Sequence, residues 1–165
     1  MVSDAEQAGS SAGVRMSIGS SLEGSAHGGA AMTREGAEQL IEAYLASWVR
    51  RDSVQFLSVL SDDAVVVECD GRSYLGEEQL RRWFADWHAA PACGWVNEWE
   101  VLRIYYDEAQ CIATVEWNFR CVWCGEETSF LGASVILFHH GKIAQIHEYR
   151  MDKSESEKED GWIDS

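Results

Sequence analysis

Positive charge is scarce in this sequence. The chain has 13 Lys and Arg residues against 28 Asp and Glu residues, which gives a formal net charge of −15 at pH 7. Proteins that bind nucleic acid or anionic membranes do so through clustered Lys and Arg, and such clusters are missing here. We therefore expect no nucleic-acid partner and no membrane partner.

Long apolar stretches are also missing. No run of residues approaches the roughly 20 that a membrane-spanning helix needs. The N-terminus lacks the basic and apolar segments of a signal peptide. These absences predict a cytoplasmic protein. The 165 residues are enough for one domain that buries a core without help from metals or disulfides.

Cysteines are few and odd in number. Five of them in a chain without an export signal favour reduced thiols over a disulfide framework. Cys121 and Cys124 have a motif spacing, but they follow a predicted strand and do not open a helix, where the helix dipole would lower a thiol pKa. We interpret them as small core or edge residues. A zinc site would need further ligands at a recognised spacing, so we expect no metal.

Composition divides the chain into three parts. Residues 1–32 are rich in Ser, Gly and Ala without apolar periodicity, so this leader is expected to be disordered. Residues 153–165 form an acidic tail that is most simply solvated and disordered. The segment between them, residues 33–152, is the predicted folded domain.

Three segments have the periodicity of amphipathic helices. The first begins at Thr33, a good N-cap, and carries apolar residues at three- and four-residue steps up to Val49. The second begins after Asp52 and ends near residues 61–63. The third covers residues 77–90 and ends before a proline.

The other segments have strand patterns, either apolar and polar residues in alternation or β-branched runs. The predicted strands are residues 64–70, 96–106, 113–121, 128–138 and 143–150. The last three form an antiparallel meander. Gly132 lies inside the middle strand of that meander, which favours a bulge or a strong bend and therefore a curled sheet.

Helices segregated from a curled, mostly antiparallel sheet define an α+β fold with helices over the concave face and a pocket at the wide end. Four segments have a specific order and spacing along the chain, namely residues 42–45, 61–68, 76–84 and 138–143 with Glu148-Tyr149. In these segments the chain resembles the nuclear-transport-factor-2-like (NTF2-like) superfamily, and within it the SnoaL-like and ketosteroid-isomerase-like proteins. The resemblance spans residues 33–152. It implies a cone-shaped NTF2-like barrel, with three helices over the concave face of its sheet, and a homodimer.

The resemblance also implies a site. In ketosteroid isomerases a tyrosine and a protonated aspartic acid donate hydrogen bonds to a developing enolate, while a second carboxylate moves the proton. The matching positions are Tyr44 for the phenol, Glu68 for the base and Ser134 for the second donor. SnoaL-like cyclases place an acid near the end of the last strand, which here makes Glu148 a second candidate base. The alternatives are a plain core role for Tyr44, an outward-facing carboxylate for Glu68, and an outward-facing or salt-bridged carboxylate for Glu148.

Several large side chains are candidates for the pocket wall. They are Trp48, Trp83, Trp87, Trp99 and Trp117. Tryptophans of this number either line a cavity for a flat apolar ligand or fill it completely. His88, at the end of the third predicted helix, either reaches the pocket mouth or only interacts with the helix C-terminus.

These expectations favour a protein that binds a small apolar molecule and performs acid/base chemistry of isomerase, cyclase or lyase type on a carbonyl compound. Glu68 would be the base and Tyr44 would polarise the carbonyl group. Proton transfer beside a carbonyl needs only a base and a donor, so no cofactor is expected. The alternative is a non-catalytic ligand-binding or dimerisation module, because a fold does not fix a function.

Overall fold

The computed structural model describes residues 32–89 and 93–151. The predicted tail and the predicted leader lie outside the described residues, apart from Met32. The Met32 carbonyl accepts a hydrogen bond of 2.7 Å from the Tyr106 hydroxyl, which ties the start of the described chain to the sheet.

Two helices begin at the predicted capping residues. Helix α1 spans Arg34–Arg50, and the Thr33 hydroxyl accepts a hydrogen bond of 3.1 Å from the Gly36 N–H. Helix α2 spans Ser53–Val59, and Asp52 accepts hydrogen bonds from two N–H groups of its first turn. These caps satisfy donors that a helix N-terminus otherwise leaves unpaired. Helix α2 ends earlier than predicted because the next strand begins at once.

The segment after α2 differs most from the sequence prediction. Strand β1 spans Leu60–Val67 and so begins earlier than the predicted residue 64. Strand β2, Ser73–Leu75, was not predicted, and it pairs antiparallel with β1. Three residues are too few to show an alternating pattern, which explains the omission. Helix α3 follows at Gly76–His88.

The remaining four strands form an antiparallel meander, which consists of the predicted three-stranded meander and the strand before it. They are β3 (Trp95–Asp107), β4 (Ile112–Trp123), β5 (Glu126–His139) and β6 (Lys142–Met151). The sheet order is β2-β1-β6-β5-β4-β3, and β1 pairs parallel with β6. The described chain is thus three helices and a mixed, mostly antiparallel, curved sheet, which confirms the α+β prediction.

Gly132 has a different role from the one its position suggested. The β4–β5 pairing is continuous at Trp117 and Gly132, so no bulge occurs there. A Cβ atom at residue 132 would lie 2.2 Å from the Trp117 ring and 2.5 Å from the Tyr149 carbonyl oxygen. Glycine is therefore required because the Trp117 ring occupies the space of a side chain.

The core lies between the helices and the concave face of the sheet. Ile41 and Tyr44 of α1 and Leu80 of α3 are buried against inward-facing strand residues such as Val66 and Ile146. Alternation along each strand decides which residues reach this layer. Within the ranges that the structure describes, no helix has the length and apolarity needed to cross a membrane.

Candidate functional site

A cavity of about 100 Å³ opens between the helices and the sheet. All five predicted tryptophans line it, namely Trp48, Trp83, Trp87, Trp99 and Trp117. Phe119 and Phe130 complete the aromatic wall, while Glu68, Cys69 and Glu148 are the other lining residues. An apolar cavity of about 150 Å³ is known to hold benzene. The tryptophans therefore do not fill the cone completely, but they leave room only for a small group.

A wider cavity of about 650 Å³ adjoins the first one. The two cavities share Glu68, Trp83 and Trp87 as lining residues. A ligand can therefore place a small group among the tryptophans and extend its remainder past Glu68.

Trp48 holds the aromatic wall together. Its ring lies 4.8 Å from Trp83, 4.7 Å from Phe84 and 6.4 Å from Trp99, measured between ring centroids. These are the separations at which aromatic pairs attract each other in tilted and edge-to-face arrangements. Trp83 and Trp87 share one face of α3 because residues four apart on a helix are neighbours. The wall therefore combines side chains from α1, α3 and the sheet.

Glu148 of β6 faces the interior. It lines the cavity and sits opposite Ser134 in the β5–β6 pairing, and one of its carboxylate oxygens is buried without a hydrogen-bond partner among the described residues. Burial, with a smaller contribution from the charge of Glu68, raises the pKa of Glu148 to about 8. The carboxyl group is therefore mostly protonated at neutral pH. The outward or salt-bridged alternative is not what the structure shows.

His147 points away from Glu148, as strand alternation requires. Its ring lies 2.6 Å from the side-chain nitrogen of Gln145, and both residues line a groove on the outer face of the sheet.

Glu68 follows directly after β1 and has a different environment. Its side chain is 17% exposed and lines both cavities. Its Oε2 accepts a hydrogen bond of 2.8 Å from the Tyr74 hydroxyl and lies 3.5 Å from the Arg72 guanidinium. A donor and a cation both stabilise the charged form of a carboxylate. Glu68 is therefore the hydrogen-bonded and ion-paired member of the carboxyl pair.

Tyr74 contacts both Glu68 and the aromatic wall. Its ring stacks on Trp83 with a centroid distance of 4.7 Å and an interplanar angle of 16°. Burial, followed by the hydrogen bond to Glu68, raises the pKa of Tyr74 to about 12, so its hydroxyl remains a donor. Tyr74 and Arg72 were missed by sequence reasoning because they belong to the β1–β2 hairpin, whose second strand has no detectable pattern.

Tyr44 is buried beneath the wall and is not one of the residues that line the cavity. Its hydroxyl has no hydrogen-bond partner within the described part of the chain. Burial, followed by the charge of Glu148, raises the pKa of Tyr44 well above its ordinary value. The phenol is a protonated, unpaired donor near Glu148.

Ser134 and His88 are engaged elsewhere. The Ser134 hydroxyl accepts a hydrogen bond of 2.9 Å from the Trp117 indole nitrogen. The His88 ring stacks on Trp48 and its Nδ1 lies 2.7 Å from the Phe84 carbonyl oxygen. Burial lowers the pKa of His88. Neither residue lines the small cavity.

The thiols and possible metal ligands form no further site among the residues that the structure describes. All five cysteines are free. Cys121 is buried, which raises its pKa to about 11, whereas Cys124 is exposed. No group of three or more His, Cys, Asp and Glu side chains is arranged to hold a metal ion within the described ranges.

Comparison with known proteins identifies the family. The model of the SnoaL-like domain matches residues 41–146, which is more than half of the chain. The chain therefore belongs to the SnoaL-like family. The prediction of a SnoaL-like, NTF2-like protein is confirmed. None of the curated proteins matches the sequence at a significant level.

Solved structures share the fold at low identity. An LEH-like epoxide hydrolase from M. tuberculosis has a TM-score of 0.61 and 17% identity, over 71% of this chain and 84% of that one. A candidate polyketide cyclase from Pseudomonas putida has a TM-score of 0.59 and 18% identity, over 68% and 90% of the two chains. An NTF2-like protein from Anabaena variabilis has a TM-score of 0.60 and 16% identity, over 75% and 92%. These similarities establish the fold alone.

Proposed function

We propose that this SnoaL-like protein performs cofactor-independent acid/base chemistry on a small, apolar carbonyl compound, in a reaction of isomerase, cyclase or lyase type. The observation that carries the proposal is the pair of carboxyl groups in one aromatic cavity. Glu148 is enclosed and protonated, whereas Glu68 is held by Tyr74 and Arg72. Two titratable groups whose environments separate their protonation states are the usual basis for assigning an acid and a base.

The roles follow from these environments. Glu148 donates a hydrogen bond to the carbonyl oxygen of the substrate, and Glu68 removes a proton from the neighbouring carbon. A base next to a weak carbon acid works only if the developing oxyanion is stabilised at the same time. Glu148, which the sequence suggested as a second base, is thus assigned the acid role.

Tyr44 is the second donor in this proposal. Its hydroxyl is unpaired within the described residues and lies near Glu148, but a wall side chain must move before a substrate can touch it. The Ser134 hydroxyl accepts a hydrogen bond from Trp117 and does not line the small cavity, so it has no role in this proposal. The aromatic wall supplies contact area for an apolar substrate.

The experiment is α-proton exchange in deuterated water, followed by NMR with a panel of small ketones and aldehydes. An enzyme that forms enolates exchanges these protons, so the experiment can be done before the natural product is known. We expect exchange above the buffer rate with the wild type and loss of at least about a hundredfold in Glu68→Gln, the lower end of what a general base contributes. Glu98→Gln, a surface carboxylate paired with Arg120, is the control. Equal rates in wild type and Glu68→Gln would exclude Glu68 as the base.

A second candidate function is a non-catalytic ligand-binding or dimerisation module, and one observation favours it. Large apolar side chains are exposed together on the outer face of the sheet, namely Leu102, Leu131, Tyr149 and Met151. Exposed apolar patches of this kind commonly mark protein–protein contacts. We propose a homodimer through this face. Sedimentation of wild type and Tyr149→Lys tests the dimer, since the variant should become monomeric while keeping its fold.

A further inference from the structure

The small cavity combines an aromatic wall with carboxyl groups, and this combination has a consequence for binding. We propose that the cavity binds small alkylammonium cations, of the size of a trimethylammonium group. The proposal uses the same cavity as the proposed function but goes beyond it, because it requires no reaction there.

The charges around the cavity favour a cation. Glu68 and Glu148 both line it, and no Lys, Arg or His is among its lining residues in the described part of the chain. Two arginines approach from outside the wall. Arg72 pairs with Glu68 and, at 2.7 Å, with Asp70, while the Arg150 guanidinium lies 4.7 Å from the Phe130 ring centroid. An anion would therefore meet two carboxyl groups inside the cavity, with Arg72 already paired to one of them from outside.

The wall selects the type of cation. The faces of aromatic rings carry negative partial charge and attract a cation within about 6 Å of the ring centre, and Trp is the strongest partner. A strongly hydrated metal ion needs several oxygen ligands, and the described residues form no such set. An alkylated ammonium group carries the positive charge that the rings attract and does not need several oxygen ligands. Its methyl groups pack against Trp48, Trp99 and Trp117, and its charge faces the two carboxyl groups that line the cavity.

Size and access are compatible with such a group. The cavity of about 100 Å³ is smaller than one known to hold benzene, which limits the group to a few non-hydrogen atoms. The adjoining cavity of about 650 Å³ begins at Glu68, Trp83 and Trp87 and leaves room for a substituent. The ligand class is thus a compact ammonium head with an optional tail.

The test compares a cation with a neutral molecule of the same shape. Binding of choline chloride to the wild-type protein is measured by titration calorimetry at constant ionic strength. The neutral isostere 3,3-dimethylbutan-1-ol, which has carbon in place of the charged nitrogen, is measured in parallel. We expect choline to bind about tenfold more tightly or better, since desolvated cation–aromatic attraction is of that order. This comparison needs no variant and therefore does not depend on a mutant that folds.

Two variants add a second readout. At pH 9, above the pKa of about 8 at which Glu148 ionises, Glu148→Gln should weaken choline binding about tenfold and affect the neutral isostere much less, since only the charged ligand loses an attraction. Glu98→Gln, on the surface, should bind choline like the wild type. Equal affinities for choline and its isostere, or equal choline binding at pH 9 by Glu148→Gln and wild type, would overturn the proposal. The outcome is separate from α-proton exchange. Choline binding without α-proton exchange would contradict the proposed acid/base chemistry. Exchange without a preference for choline over its isostere would contradict the proposed cation site.

Discussion

The Tyr74 hydroxyl donates a hydrogen bond of 2.8 Å to Glu68 Oε2 across the β1–β2 hairpin. The hairpin is closed by a backbone hydrogen bond of 2.8 Å from the Glu68 N–H to the Arg72 carbonyl oxygen. Strand β2, with three residues, therefore determines where the proposed base stands. The position of Glu68 thus depends on a short edge strand as well as on the pairing of β1 with β6.

Removing this donor should have a measurable effect on stability. Tyr74→Phe keeps the ring on Trp83 but leaves Glu68 with Arg72 alone, so we expect the free energy of unfolding to fall by about 1–2 kcal/mol. Urea unfolding measures the change. Tyr105→Phe is the matched control, because that hydroxyl accepts a bond from Arg103 on an exposed surface and its loss should cost little. Equal effects of the two variants would contradict the assigned role of Tyr74.

Glu148 should make the stability of the fold depend on pH. The pKa of Glu148 is about 8 in the folded state and 4.5 for the ordinary carboxyl, so between these values the folded protein holds a proton that the unfolded chain has released. Wild-type stability should therefore fall as pH rises through this window, by at most about 1.4 kcal/mol per pH unit, and level off above it.

The variant Glu148→Gln cannot ionise and isolates this effect. We expect its stability relative to wild type to increase with pH between about 5 and about 8 and then to stay constant. Urea unfolding at several pH values checks this, with Glu98→Gln as the exposed control that should run parallel to wild type. A pH-independent difference between Glu148→Gln and wild type would show that the carboxyl is not enclosed.

Ser134 should matter for packing. Ser134→Ala leaves the buried Trp117 indole N–H without its partner, and an unsatisfied buried donor costs about 1–3 kcal/mol of stability. Ser129→Ala is the control on the same strand, since Ser129 is exposed and should tolerate the change. Thermal unfolding of the two variants measures the difference. Wild-type stability in Ser134→Ala would mean that the indole finds another acceptor.

Gly132→Ala tests the contact between sheet and ring. The new methyl group would overlap the Trp117 ring and the Tyr149 carbonyl, so we expect a loss of at least about 2 kcal/mol. Gly125→Ala is the control, because it introduces backbone strain without any overlap. Gly125 has a φ of +84° with nothing near its Cβ position, so that variant should lose only about 1 kcal/mol. Chemical unfolding and near-ultraviolet circular dichroism of the tryptophans provide the readouts.

Much of the fold could be predicted because local signals were strong. Thr33 and Asp52 cap helices where their side chains suggested, and the meander strands alternate as their sequences do. The parallel pairing of β1 with β6 could not be predicted, because it joins segments far apart in the chain and leaves no local pattern.

The site was harder to predict because it depends on which face each residue takes. On β1 the run of three valines fits either orientation, and the structure buries Val66, which shares its face with Glu68. The environment of Glu148 depends on Tyr44 of α1 and on Glu68 after β1, which a strand pattern cannot reveal. Tyr44 was correctly placed on the buried stripe of α1, but only coordinates could show that it lies beneath the cavity wall.

The space shared by Gly132 and Trp117 also has an evolutionary consequence. The Trp117 ring fills the space that a side chain at position 132 would need. A relative of this chain with a larger residue at position 132 is therefore expected to carry a smaller residue at position 117. An alignment of SnoaL-like sequences should therefore show inverse size correlation between these two columns.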